Sequence, residues 1–455
     1  MGIFGALQSA VSGLKAQSHA MENISGNIAN SQTIGYKRID TSFVDLLADA
    51  PVKQQVAGAV SAFSRSMNTL RGDIQNADTQ TYMALNGNGF FVTEKADGSP
   101  GTFYTRRGDF DIDRNGFLVN GAGYRLTGLD MENGVVTGSV AKPIQIDNSF
   151  LKASASKKIN YQLNLPKVPK TSDYDGSDPA TALLKPASFA DAPTAGVGPD
   201  FIAGGTESAA FTGQSISGGG LTLYTATGEP VNVQMRWAKT DNTAGAEKWE
   251  LYYASDSAPA APAAWTKLAI YAYDQGELTT VTSAAGGAPV PVGTSLTHNI
   301  SVNNTALGAV LFDHGLKGMT QFADNSGMAT TTTLKQDGYG AGEFISVGIS
   351  DDGRVVASYT NGETREVSQI VTASFSNANA LRRGDGGAYT ASTESGEPII
   401  DQSGQGIVGS STEASNTDIS EEFTKLIVTQ QAYSANTKIV TAADEMLREA
   451  LSMIR

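Results

Sequence analysis

Two stretches of the chain, one at each end, carry a seven-residue apolar rhythm. Leu7, Leu14, Met21 and Ile28 recur at that interval, with Ile3, Ala10 and Ile24 at the complementary offsets and polar Gln17 as the one break. This pattern predicts an amphipathic helix from about residue 3 to 30 with a narrow apolar seam. The rhythm stops at Asn30, and Thr33-Ile34-Gly35 supplies the turn chemistry that ends it. At the other end Ile419, Leu426, Tyr433, Val440, Leu447 and Ile454 repeat at the same interval, and Phe423, Ala443 and Ala450 widen the stripe. Asp418 followed by Glu421 is a capping arrangement for its start. At about 1.5 Å of rise per residue this segment makes a rod of about 57 Å, longer than an ordinary domain. Periodicity alone fits an ordinary intramolecular coiled coil equally well. A two-helix seam, however, covers one face only and leaves positions such as Phe423 and Ala443 in need of other subunits.

Between the helices short apolar and polar segments alternate, punctuated by glycine. Ile345, Val347 and Ile349 alternate, Asp351-Asp352-Gly353 turns, Val355 to Tyr359 returns, and Asn361-Gly362 turns again into Val367 to Phe375, which reads as a β-meander. Val231, Val233, Met235 and Trp237 alternate likewise, with Trp249 to Tyr253 as the partner strand. Trp237, Trp249 and Trp265 all fall in this middle stretch and are expected in its core. The Pro/Ala/Gly/Ser-rich runs 176–220 and 255–295 read as long loops.

Composition narrows the function classes. Only 17% of residues are charged and 50 are glycine, a balance that favours strands and turns in the interior. The formal charge of −14 repels a phosphate backbone and an anionic membrane surface alike, so no nucleic acid is expected. With no cysteine, thiolate catalysis, Cys-ligated zinc and disulfides are excluded. The first twenty residues lack a basic segment followed by an unbroken apolar one, Ala6 stands where a myristoylation motif needs Ser or Thr, and no apolar run reaches the roughly 20 residues of a membrane span.

Three motifs tempt and fail. Asp111 to Gly116 copies the first half of a calcium loop, but Ala122 stands where the closing carboxylate belongs, and Asn115-Gly116 is a hairpin signal. Gly404-Gln405-Gly406-Ile407-Val408-Gly409 satisfies a nucleotide-binding fingerprint to the letter, yet the helix begins about ten residues late and no acidic partner follows. A glycine-rich linker into the last helix is the expectation. His19, His298 and His314 are expected far apart, and no nucleophile and base pair can be named. Catalytic, metal and cofactor-binding residues are therefore all none, and the chain reads as no enzyme.

Ser25-Gly26-Asn27-Ile28-Ala29-Asn30 followed by Thr33-Ile34-Gly35-Tyr36-Lys37-Arg38 resembles the N-terminal signature of the flagellar rod and hook axial proteins. Leu85 to Val92, Tyr104 to Phe110 and Gly116 to Val119 resemble the first β-domain of that family. Glu413 to Ile419, Gln430 to Asn436 and Thr441 to Leu447 are similar to its C-terminal helix. Gln336-Asp337-Gly338-Tyr339, Val347 to Gly353 and an inserted middle of about 190 residues look like the hook branch. A distal rod or other axial protein is the alternative, and a secreted fibrous adhesin the rival outside the family.

The expected architecture is multidomain α+β, with N- and C-terminal helices pairing as an α-helical coiled coil and mainly antiparallel all-β domains between them. Residues 1–32 and 415–455 form the terminal helical domain, 33–70 a linker or hinge, 71–145 and 336–405 an inner β-domain, and 146–335 an outer one of one or two subdomains. The assembly seam is expected at Leu7, Leu14, Met21, Ile24 and Ile28 and at Ile419, Phe423, Leu426, Tyr433, Val440, Leu447 and Ile454. The family motif is Asn27, Ala29, Asn30, Thr33, Gly35, Tyr36 and Lys37. The resemblance implies a helical homopolymer outside the cell, exported without a cleaved signal peptide. Its implied partners are further copies of itself, the distal rod protein, the hook cap, the hook–filament junction proteins and the flagellar export apparatus, with no membrane insertion.

Overall fold

The computed structural model describes residues 3–46, 59–132, 134–190, 197–256, 263–284, 286, 288–291, 293 and 295–453. Three α-helices lie among them, α1 (Ile3–Ala29), α2 (Thr206–Gly213) and α3 (Ile419–Met453), and the rest of the regular structure is almost wholly antiparallel sheet. The chain divides into two compact units: one runs to Ser149 and resumes at Phe344, and the other is Phe150–Glu343. These boundaries fall later than 146 and 335 because Leu151 bridges Gly342, Ser154 bridges Tyr339, and Thr330–Gln336 pairs with Lys158–Asn164.

In the unit Phe150–Glu343 five consecutive strands run antiparallel: Ile216–Tyr224, Pro230–Asp241, Glu247–Asp256, Ala264–Asp274 and Glu277–Ser283. Trp237 stands opposite Leu251 and Met235 opposite Tyr253, the pairing that the alternation predicts. Trp237 and Trp249 are fully buried in one core, and Trp265 closes a smaller one against Phe211 of α2. The expectation of long loops fails here. Ala264–Asp274 is an inner strand whose Trp265, Leu268, Tyr271 and Tyr273 are buried, and α2 with Ile216–Tyr224 occupies much of the first run. The small Ala and Gly residues around these elements dilute a period that the aromatics carry. Residues 191–196 and 257–262 of those runs lie outside the described residues. His298 and His314, expected apart, both pack on Phe312, with ring centroids at 5.6 and 6.3 Å.

The other unit interleaves early and late chain. The meander Phe344–Ile349, Arg354–Tyr359, Thr364–Ile370 forms as read, with Gly353 and Gly362 in the left-handed region at its turns. Its last strand pairs with Tyr124–Glu132, which pairs with Phe90–Lys95. Asp113 to Phe117 forms a hairpin turn in which Asp113 Oδ1 accepts the amides of Asn115 and Phe117. The glycine-rich stretch near 404 is more than a linker, since Ile407–Gly409 pairs with Met83–Leu85 and Ser411–Glu413 with Ile74–Asn76. Within 33–70, β1 (Ile39–Leu46) and β2 (Ala59–Ser66) pair in continuous antiparallel register, so this segment is a hairpin and not a linker. It is tied to α1: Asn23 donates to Thr41 and Ser64, and the Val60 amide donates to Ser12. Residues 47–58 of the expected linker lie outside the described residues.

Candidate functional site

The helices α1 and α3 lie against one another. A Cβ on Gly13 would meet Asn436 Nδ2 at 2.8 Å, and Asn27 Nδ2 donates to Glu422 Oε2 at 3.0 Å, so the two run antiparallel. Seven residues along one helix match seven back along the other. Ala20 and Thr429, the next pair in this register, line one cavity of about 280 Å³ with Ile24, Phe43 and Lys425. The buried residues of α1 are Ala10, Gly13, Ala16, Ala20, Ile24 and Asn27, and those of α3 are Glu422, Thr429 and Ala443. Ile24 apart, the residues buried along the two helices are therefore small or polar. Small side chains let two backbones approach closely and leave no room for a leucine between them.

Of the sequence-predicted seam, Ile24 lies in this contact and the other described positions lie beside it. Ile24 is buried, while Leu7, Leu14, Met21 and Ile28 are half-buried along the flank of α1. On α3, Leu426, Val440 and Leu447 are half-buried, whereas Ile419, Phe423 and Tyr433 are exposed; Ile454 lies outside the described residues. Ile427, Val428, Ile439 and Met446 join the exposed set, with Val428 at 60% of its full exposure. The β1–β2 hairpin adds Phe43 and Phe63, both exposed.

The family-motif residues build the joint behind α1. Asn27 is 1% exposed and has all its polar atoms engaged: Oδ1 accepts the Ile39 amide at 2.9 Å and the Tyr36 hydroxyl at 3.3 Å, and Nδ2 also donates to the Ile39 carbonyl. Asn30 closes the helix, its Nδ2 donating to the Gly26 carbonyl and its Oδ1 accepting from Thr33. Ala29 is exposed. Gly35 has φ +67° and lies so close to Arg106 that an added Cβ would stand 2.7 Å from its carbonyl carbon, so only glycine fits. Its amide donates to the Glu413 carbonyl at 2.7 Å.

Lys37 is the last motif residue and the most deeply placed. Its ammonium donates to the Leu70 carbonyl at 2.7 Å and to Glu413 Oε1, and all of its side chain is buried. Arg106 approaches Glu413 Oε2 at 3.3 Å from the other side, donates to the Gly87 carbonyl at 2.6 Å and stacks on Phe90. Gly72 gives its amide to the same carboxylate at 2.9 Å. Burial pulls the Lys37 ammonium and the Arg106 guanidinium below their usual ranges, and the Glu413 carboxylate between them opposes it. One anion thus holds two buried cations and ties three distant stretches of chain together. A more exposed cluster extends the tie: Arg38 and Lys425 both reach Glu421, whose pKa their hydrogen bonds lower, and Asn416 accepts the Arg38 amide at 2.7 Å. Sequence reasoning passed over Arg106, Glu413 and Glu422 as functional residues, although the first two stand inside the quoted family blocks.

Comparisons with known proteins follow the same plan. Four family models match in order along the chain: Flagella basal body rod protein over residues 7–37, Flagellar hook protein FlgE/F/G D1 domain over 84–160, Flagellar basal body protein FlaE D2 domain over 217–339, and Flagellar basal body rod FlgEFG protein C-terminal over 408–453. The chain is similar to Flagellar hook protein FlgE of Brucella suis biovar 1 (strain 1330), with 27% identity over 462 residues and 100% of both chains covered. It is similar to the FlgE of Salmonella typhimurium (strain LT2), with 28% identity over 453 residues and 98% of each covered, and to that of Escherichia coli (strain K12), with 28% identity over 461 residues, 98% of this chain and 100% of the relative. A crystal structure of Helicobacter pylori flagellar hook protein FlgE2 superposes at a TM-score of 0.48 with 15% identity, over 76% of this chain and 99% of that one.

Proposed function

The chain belongs to the flagellar hook protein family, and from that premise we propose that it is the structural subunit of a bacterial flagellar hook, polymerising into a flexible tubular joint that carries torque from rod to filament. It is not an enzyme. The observation that carries the reading is the division of labour on the terminal helices: apart from Ile24 the buried residues are small or polar, while α3 leaves Phe423, Ile427, Val428, Ile439 and Met446 exposed. We read the α1–α3 pair as a coiled coil with a small-residue seam, and the Leu7, Leu14, Met21, Ile28 and Ile419, Phe423, Tyr433 positions as its outer seams, covered by neighbouring copies. Each subunit then gives its helix pair to an inner sleeve assembled outside the cell, and the β units form the shells around it.

Further copies of the chain are the principal partner. The distal rod protein, hook cap, hook–filament junction proteins and export apparatus belong to the same proposal, through the family and not through any contact in the structure. The relatives named hook protein match end to end, including the middle that a distal rod protein would lack, so the rod and adhesin readings have no observation in their favour. Electron microscopy of purified protein at high concentration tests the proposal. Open-ended tubes are expected; closed trimers or dispersed monomers at every concentration would reject it.

A further inference from the structure

The unit Phe150–Glu343 holds a second group of buried charges that the assembly reading does not use. Lys267 stands on the strand Ala264–Asp274 with its side chain 3% exposed, and three oxygens surround its ammonium: Asp200 Oδ1 at 2.7 Å, the Gly198 carbonyl at 2.9 Å and Glu250 Oε2 at 3.6 Å. Strands on either side deliver the two carboxyls. Asp200 leads into Phe201–Ile202, which pairs with one edge of Ala264–Asp274, and the Lys267 amide donates to the Asp200 carbonyl at 2.9 Å. Glu250 comes from Glu247–Asp256 on the other edge. Its side chain has no exposure, and it accepts the Gly198 amide at 2.9 Å and the Tyr252 hydroxyl at 2.7 Å. Burial raises the Glu250 pKa, against the pull of Lys267. The rings of Phe211, Tyr252 and Trp265 wall off this side of the sheet.

An amine, a carboxyl held against it and a second carboxyl near the amine are the components of amide formation. We propose that Lys267 and Asp200 join covalently, by an isopeptide bond between Nζ and Cγ, with Glu250 as the proton relay. The ion pair already contains every atom the step needs. One ammonium proton passes by way of Glu250 to Asp200 Oδ2, so that a neutral amine faces a neutral carboxyl; the Nζ lone pair then attacks Cγ, a second Nζ proton moves to Oδ2, the Cγ–Oδ2 bond breaks and Oδ2 leaves as water, with the third proton kept on the amide. Charge balances, and no oxidant or cofactor enters. Fixed contact raises the effective concentration of the reacting groups far beyond what free amine and acid reach in water. Asp200 is 77% exposed, so the departing water has an open exit, and a cavity of about 310 Å³ lined by Asp200, Lys267 and His298 adjoins it. In a chain without cysteine such a bond takes the place of a disulfide: it pins the two-residue strand Phe201–Ile202 to the sheet against extension.

Intact-mass measurement of the purified full-length chain, incubated at neutral pH, tests the bond. The wild type is expected to weigh one water less than its sequence, with a protease fragment joining the peptides of residues 200 and 267. Asp200→Asn is expected to lose one ammonia instead, because the leaving group is now the amide nitrogen. Lys267→Arg, checked for folding by tryptophan fluorescence, is expected at full mass, and Glu250→Gln at full mass or slow conversion. A wild type that keeps full mass overturns the proposal. So does a water deficit that persists in Lys267→Arg, since that places the loss at a cyclised aspartate elsewhere. Should Lys267→Arg fail to fold, the protease fragment joining the peptides of residues 200 and 267 still decides, because a cyclised aspartate gives no such fragment and its absence overturns the proposal.

Discussion

The unit Phe150–Glu343 and the terminal helix pair solve the burial problem in opposite ways, while the β part of the helix-bearing unit keeps its own core around Phe90, Tyr104 and Tyr389. Phe150–Glu343 keeps its large apolar residues inside: Trp237, Trp249, Tyr271 and Tyr273 have almost no exposure. The terminal helices put Ala, Gly, Asn and Thr at their contact and leave Phe423, Ile427 and Val428 outside. Burial of a large apolar side chain contributes about 1.5–3 kcal/mol, so a helix that forgoes it inside one molecule keeps that free energy for contact with another. The first of these has the core of a self-sufficient domain, and the helix pair, on the proposed reading, has that of half an interface. Polar anchors stand in for the missing apolar core, above all Glu413 with Lys37 and Arg106.

The comparison breaks most visibly at that anchor. Glu413→Gln leaves two buried cations without their counter-charge and is expected to cost about 3–5 kcal/mol. The loss should fall on the transition of the helix-bearing unit in denaturant unfolding, with that of Phe150–Glu343 unmoved. Equal losses in both transitions would show that the units are not energetically separate.

Acid is expected to act on the other side. Burial lowers the His298 pKa from 6.5 to about 4 and also lowers that of His314, whose Nε2 meets the Tyr271 hydroxyl at 2.8 Å. The unfolded chain takes up these protons first, so the contribution of His298 is complete above pH 6.5 and is lost as pH falls from there to about 4, up to roughly 3 kcal/mol. A His298→Phe variant should lose most of this pH dependence in the unfolding of Phe150–Glu343, and an unchanged slope would contradict the assignment. A smaller effect is expected from Asn27→Ala, which strips the Ile39 backbone and Glu422 of a partner and should cost about 1–3 kcal/mol. Hydrogen exchange at Ile39 would report it, and protection equal to wild type would count against the joint.

Local signals in the sequence were enough for the terminal helices and the meander. The seven-residue period and the Asp418 cap gave the helices to within a residue or two, with Asp418 Oδ1 accepting the Ser420 amide at 2.8 Å. The meander and its glycine turns were equally local. The inner face of the helix pair was harder to see, because the repeat Ala6, Gly13, Ala20, Asn27 runs one residue behind Leu7, Leu14, Met21, Ile28. Hydrophobicity ranks the second set higher, whereas close backbone approach selects the first. The anchor had no local signal: Glu413 lies 376 residues from Lys37 and 307 from Arg106, and nothing along the chain pairs them. The inner strand Ala264–Asp274 was hidden for a different reason, the alanine-rich composition around its aromatics.

The smallest expected change in monomer stability belongs to the exposed face of α3, and it tests the central claim most directly. A Phe423→Ser, Ile427→Ser, Val428→Ser triple variant should unfold within about 0.5 kcal/mol per site of the wild type, because these side chains are already in water. Imaged by electron microscopy at a concentration where the wild type forms tubes, the variant is expected to remain dispersed. Tubes that form as readily from the variant as from the wild type would contradict the assignment of this face to subunit contact.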